Sequence, residues 1–102
     1  MAIAEVTVIP IGTGSTSLSS YVADMQRVLQ TIEGITYELT SMGTIIEGPL
    51  SRILAAVEAL HESPFTAGAQ RVSTSLKIDD RRDKASTSRG KLESVERKLL
   101  EN

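Results

Sequence analysis

The chain has 102 residues, 40% of them hydrophobic and 24% charged, with a formal net charge of −2. One core fits that length, burying a little over ~60% of the surface an unfolded chain exposes, and the acidic balance leaves no basic footprint for nucleic acid or an anionic membrane. The absence of cysteine excludes disulfides, thiol catalysis and cysteine-ligated metals.

No apolar run is long enough to span a bilayer, and Met1-Ala2-Ile3 enters a strand-like segment without a basic leader. The expectation is one cytoplasmic domain, residues 1–102. Residues 2–9 alternate with period two, Ala4, Val6 and Val8 on one face and Glu5, Thr7 and Ile9 on the other, until Pro10 closes the strand. A loop of glycines and hydroxyls, Ile11 to Ser17, then delivers the chain into a helix. Leu18, Tyr21, Val22, Met25, Val28, Leu29 and Ile32 recur at helical spacing, with Ser17 the expected N-cap and Gly34 the left-handed stop.

Ile35 to Thr40 reads as a second strand, Ser41-Met42-Gly43 as a turn, and Thr44 to Glu47 as the returning strand of a hairpin. Pro49 suits the first position of a second helix, whose stripe is Leu50, Ile53, Leu54, Val57 and Leu60 and whose expected end is Pro64. Arg71 to Ile78 alternates most clearly of all, and the charged run Asp79–Lys84 follows it. Ser86-Thr87-Ser88 can cap a last helix with a narrow seam of Leu92, Val95 and Leu99. The order β-α-β-β-α-β plus one helix predicts an α+β, ferredoxin-like sandwich: a four-stranded antiparallel sheet with both crossover helices on one side. Its other face would carry Ile3, Ile9, Glu5, Thr7, Glu38 and Lys77. Two isoleucines there predict that something covers it, and a second copy of the chain is the simplest cover.

The residues that carry chemistry are few. Gly12-Thr13-Gly14-Ser15-Thr16-Ser17 precedes a helix N-terminus but lacks the lysine of a P-loop and the third glycine of a dinucleotide fingerprint. A turn plus cap is the simpler reading of it. His61 is the sole histidine, too little for a metal site or a Ser-His pair, so no catalytic residue and no metal is expected. The alternating charges of Asp79–Lys84 read as ion pairs within the fold or across an interface, ahead of a phosphate grip by Arg81 and Arg82. Met42, Gly43, Thr44 and Glu47 around the hairpin combine a thioether, hydroxyl and carboxylate suited to a flat cationic heteroaromatic, although on residue types alone a plain turn with a solvent-facing Glu is the simpler reading.

Several stretches together bear a resemblance. Val8 to Thr13, Ser15 to Ala23, Met42-Gly43-Thr44-Ile45-Ile46-Glu47-Gly48, His61-Glu62, Arg71-Val72 and Leu76 to Asp83 resemble the thiamine-binding protein family, in register over essentially the whole chain. The resemblance implies a ferredoxin-like protomer whose sheets pack face to face as a homodimer and then a dimer of dimers, a homotetramer. It also implies a site for thiamine or its hydroxymethylpyrimidine half, with no catalysis and no other cofactor. Carried onto this chain, the ligand-binding candidates are Ser15, Thr16, Ser17, Met42, Gly43, Thr44 and Glu47. The expected function is therefore non-catalytic binding of thiamine or its pyrimidine for sequestration, transport or salvage. An oligomeric structural or regulatory module without a ligand, and a small phosphate-handling enzyme, are the alternatives.

Overall fold

Alternation along the first strand decides the architecture. In β1 (Ala2–Pro10), Ala2, Ala4, Val6, Val8 and Pro10 are buried while Glu5 and Ile9 face outward. The computed structural model describes residues 1–83 and 87–101, with α1 (Ser19–Leu29), β2 (Thr36–Thr40), β3 (Gly43–Gly48), α2 (Leu50–Thr66), β4 (Val72–Asp80) and α3 (Ser88–Leu100) following in order. The strands form one antiparallel sheet in the order β2-β3-β1-β4, the ferredoxin-like arrangement that two split βαβ units produce. Register places Tyr37, Leu39, Thr44, Ile46, Thr74 and Leu76 on the face of the buried β1 residues, and Glu38, Ile45, Glu47, Ser75 and Lys77 on the other.

The core lies between the sheet and helices α1 and α2. Met25 and Leu29 of α1 meet Ile53, Ala56 and Leu60 of α2 over Val6, Val8 and Ile46. Leu54, counted in the α2 stripe by spacing, points away from the core, and Ala56 takes the buried position. His61 joins α2 to β4: its Nδ1 is 2.7 Å from Thr74 Oγ1, and Phe65 leans on its ring. That is a structural use of the sole histidine.

Four expected helix boundaries move. Leu18, not Ser17, occupies the N-cap of α1, with no side-chain cap. Ser17 is already engaged, its amide donating to Ser15 Oγ and its hydroxyl lying 3.4 Å from Ser19 Oγ. The same helix stops at Leu29, and tightened turns from Thr31 and Ile32 onto Val28 and Leu29 carry the chain to Gly34, at φ 84°. Pro64 does not end α2, and Pro49 is its N-cap rather than its first residue. Pro64 sits in the final turn, fully buried, and the amides of Ala67, Gly68 and Ala69 close onto Ser63, Phe65 and Pro64. A proline so near the end removes one helical bond, and burial of its ring offsets the loss.

α3 is different in kind. Thr87 caps it, accepting from the Gly90 amide, while Lys84 and Ser86 lie outside the described residues. Two ties hold its start to the open sheet face. The Ser88 amide donates to Glu47 Oε1 at 2.5 Å, and Lys91 pairs with Asp79. Glu47 and Asp79 flank Ile3 on its two sides in the register, so the helix is pinned over the Ile3 end of that face. Ile3 is accordingly half-buried, whereas Ile9 at the far end is exposed. Beyond its first turn α3 buries nothing: Leu92, Val95 and Leu99 all lie open, Leu99 at 75% exposure. The radius of gyration, 15.5 Å, exceeds the about 13 Å of a compact domain this long.

Candidate functional site

Beneath the tip of the β2–β3 hairpin, on the helix side of the sheet, lies a cavity of about 410 Å³. That is toward the lower end of the range of about 300–1,000 Å³ for small-molecule sites. Its apolar lining comes from Val6 and Val8 of β1, Val22 and Met25 of α1, and Leu60 of α2, with Leu39 of β2 at the rim. Valine and threonine on the floor are too small to fill the space between α1 and the hairpin. Leu18, which takes the cap position expected of Ser17, also lines the cavity.

The polar groups are few and placed together. Thr44 is 7% exposed, the one buried polar residue among the described residues. Gln26 Nε2 donates to its hydroxyl at 3.2 Å. The hydroxyl then has its own proton to give, and the carboxamide its oxygen, so the pair offers a donor beside an acceptor. Among the described residues no Asp, Glu, His, Lys or Arg lines the cavity. Such a site suits a flat, neutral ring with one hydrogen-bonding edge.

The hairpin is held over the cavity by its own hydroxyls. Thr40 Oγ1 donates to the Gly43 carbonyl and accepts from the Met42 amide, and Thr7 Oγ1 donates to the Met42 carbonyl. Gly43 permits this approach. A Cβ there would stand 2.8 Å from Thr7 Oγ1 and 2.9 Å from the Val6 carbonyl oxygen. Met42 itself is 80% exposed at the mouth, where a thioether can close over a ring.

The seven residues expected from sequence separate into three places. Met42, Gly43 and Thr44 lie on the cavity. Ser15, Thr16 and Ser17 are exposed in the loop that leads to Leu18 and do not line it; Ser15 is occupied within the loop, its carbonyl taking the Thr13 hydroxyl. Glu47 stands three residues along β3 from Thr44, about 10 Å away on the opposite face, where it holds the start of α3. A carboxylate at that helix N-terminus is favourably placed against the dipole. Gln26 was not among the candidates, yet its signal is in the sequence. At the spacing Val22, Met25, Gln26, Leu29 it is a polar residue inside the apolar stripe.

The charged run resolves into local pairs. Arg81 grips Asp83 through two bonds, and Arg82 grips Asp80. Hydrogen bonding from Arg82 holds the Asp80 carboxyl below its ordinary value, and Asp83 raises Arg81 in the same way. Neither arginine lines the cavity. Among the described residues no cluster of His, Asp or Glu could hold a metal ion, and no helix is long and apolar enough to cross a membrane.

Comparison with known proteins agrees with the fold. The UPF0045 protein YqgV of Bacillus subtilis is 52% identical over 102 residues, covering 97% of this chain and 98% of its own. A UPF0045 protein of Methanothermobacter thermautotrophicus is 50% identical over 100 residues, covering 97% and 100%. The crystal structure of MJ1052 from Methanocaldococcus jannaschii superposes with a TM-score of 0.82 at 39% identity, over 93% of this chain and 95% of that one. A Thermotoga maritima protein named for thiamine biosynthesis or salvage shares the fold, with a TM-score of 0.72 at 20% identity over 92% and 97%. Residues 4–96 match the family described as thiamine-binding protein. That span takes in all of the sheet but the first two residues of β1, the cavity and most of α3, and the chain belongs to the thiamine-binding protein family.

Proposed function

We propose that the cavity beneath the hairpin binds thiamine or its hydroxymethylpyrimidine moiety, without catalysis, in a cytoplasmic homo-oligomer that sequesters or carries the ligand. The observation that carries this reading is the part-buried Gln26–Thr44 pair, set among apolar side chains in a cavity whose remaining polar lining, Thr7, Thr40 and Ser41, belongs to β1 and the hairpin, and which no charged side chain among the described residues lines. An aminopyrimidine presents an amino donor beside a ring-nitrogen acceptor, the complement of the Gln26 oxygen and the Thr44 proton. Family membership supports the same ligand class. Because no carboxylate among the described residues lines the cavity, the pyrimidine enters and the thiazolium cation of thiamine stays at the open mouth beside Met42. Burying that cation unpaired would be strongly unfavourable.

Self-association is supported by a separate observation. A lone helix shorter than about 12–15 residues is marginal in water, and α3 has 13, with an uncovered apolar seam. A second copy laid on the seam and on the Ile9 end of the sheet would cover both. The ligand-free module is the reading this seam would favour alone, but it leaves the Gln26–Thr44 pair without a purpose. A phosphate-handling enzyme is disfavoured, since the two arginines it would need are spent on Asp80 and Asp83.

The test is ligand-induced chemical-shift mapping by NMR with hydroxymethylpyrimidine. Shifts concentrated at residues 22–26 and 39–44, and small at Glu47 and Ser88, are expected. A pattern centred on the Ser15–Ser17 loop or on Glu47 would contradict the assignment.

A further inference from the structure

We infer that the Gln26–Thr44 pair makes the cavity accept a 4-oxopyrimidine as well as a 4-aminopyrimidine, a second ligand class at the same site; the inference rests on the pyrimidine reading above. The two ligands present opposite patterns. The amino form offers a donor beside a bare ring nitrogen, the oxo form an acceptor beside a ring N–H. A cavity lined by a carboxylate or an ammonium would be committed to one of them. Here, among the described residues, no ionisable side chain lines the cavity, and the bond to each other is the one side-chain hydrogen bond that Gln26 and Thr44 make.

As arranged, Gln26 Nε2 donates to Thr44 Oγ1. Gln26 Oε1 then takes the ligand's amino proton, and the Thr44 hydroxyl donates to the ring nitrogen. A half-turn of the carboxamide reverses every role. Thr44 donates to Oε1, Nε2 donates to the oxo oxygen, and the Thr44 oxygen accepts from the ring N–H. Both side chains are free to do this, because the terminal amide torsion is roughly two-fold and a hydroxyl proton rotates to suit its partners. Neither state leaves a buried group unpaired. That matters at Thr44, which water hardly reaches at 7% exposure, and where an orphaned bond is costly. Selectivity in sites that hydrogen-bond their ligand comes from groups left unpaired by the wrong partner, and this pair leaves none.

Calorimetric titration of the intact protein tests it, with hydroxymethylpyrimidine, its 4-oxo counterpart and its 4-methyl counterpart as probes. The amino and oxo ligands are expected to bind within about tenfold of each other, and the 4-methyl ligand at least about tenfold more weakly than both. Gln26→Glu, an acceptor-only side chain when ionised, is expected to raise the amino-to-oxo affinity ratio about tenfold or more, because it can take an amino proton but has nothing to donate to an oxo oxygen. Thermal melting checks that this variant is folded. A preference above about a hundredfold in the unmodified protein overturns the inference and leaves the pyrimidine reading standing. So does an amino-to-oxo ratio that Gln26→Glu does not change. Silence from all three ligands on folded protein overturns both.

Discussion

Glu47 shows how one residue type supports two readings. A carboxylate three positions after a hairpin turn suits a cationic ligand, yet strand alternation puts it on the face opposite Thr44, where it accepts the Ser88 amide. Glu47→Gln is therefore expected to leave pyrimidine affinity within about twofold while the Ser88 amide exchanges faster with solvent deuterium. A tenfold loss of affinity would return Glu47 to the site. Gly43 is a spacing residue, since backbone oxygen at Val6 cannot give way to a Cβ as a flexible side chain would. Gly43→Ala is expected to lower unfolding free energy by about 1–3 kcal/mol in denaturant titration. An unchanged midpoint would show that the hairpin relaxes at no cost.

At the scale of elements, the strands were legible and the helix ends were not. Alternation in β1 and β4 gave both faces of the sheet, and the register agrees residue by residue. Helix termini depend on short-range competition that pattern does not reveal. Ser17 lost the cap of α1 to hydroxyl partners in its own loop, and Pro64 was carried past because its ring fits the core. The candidate site was half legible for the same reason. Met42, Gly43 and Thr44 cluster in sequence, whereas Gln26 joins them through the fold, across 18 positions. The seam of Leu92, Val95 and Leu99 does lie on a helix, and among the described residues nothing covers it. Leu92→Glu together with Leu99→Glu is expected to shift the assembly toward smaller species in light scattering. An unaltered mass would remove α3 from the interface.

For the whole molecule, the sheet divides the labour. One face carries the core and most of the cavity lining; the other carries Glu47 and Asp79, the anchors of α3, while the exposed Ile9 at the end of β1 also reaches the cavity. Gln26 lies on the cavity and away from the α3 seam, so a substitution there tests the proposed ligand without touching the proposed interface on α3. The most direct measurement is isothermal titration of thiamine and of hydroxymethylpyrimidine into protein of known mass, with Gln26→Leu beside it. Saturable binding near one ligand per protomer is predicted, similar for the two ligands, and weakened about tenfold or more by Gln26→Leu. No heat from either ligand on folded, assembled protein, or full affinity retained in Gln26→Leu, would contradict the account.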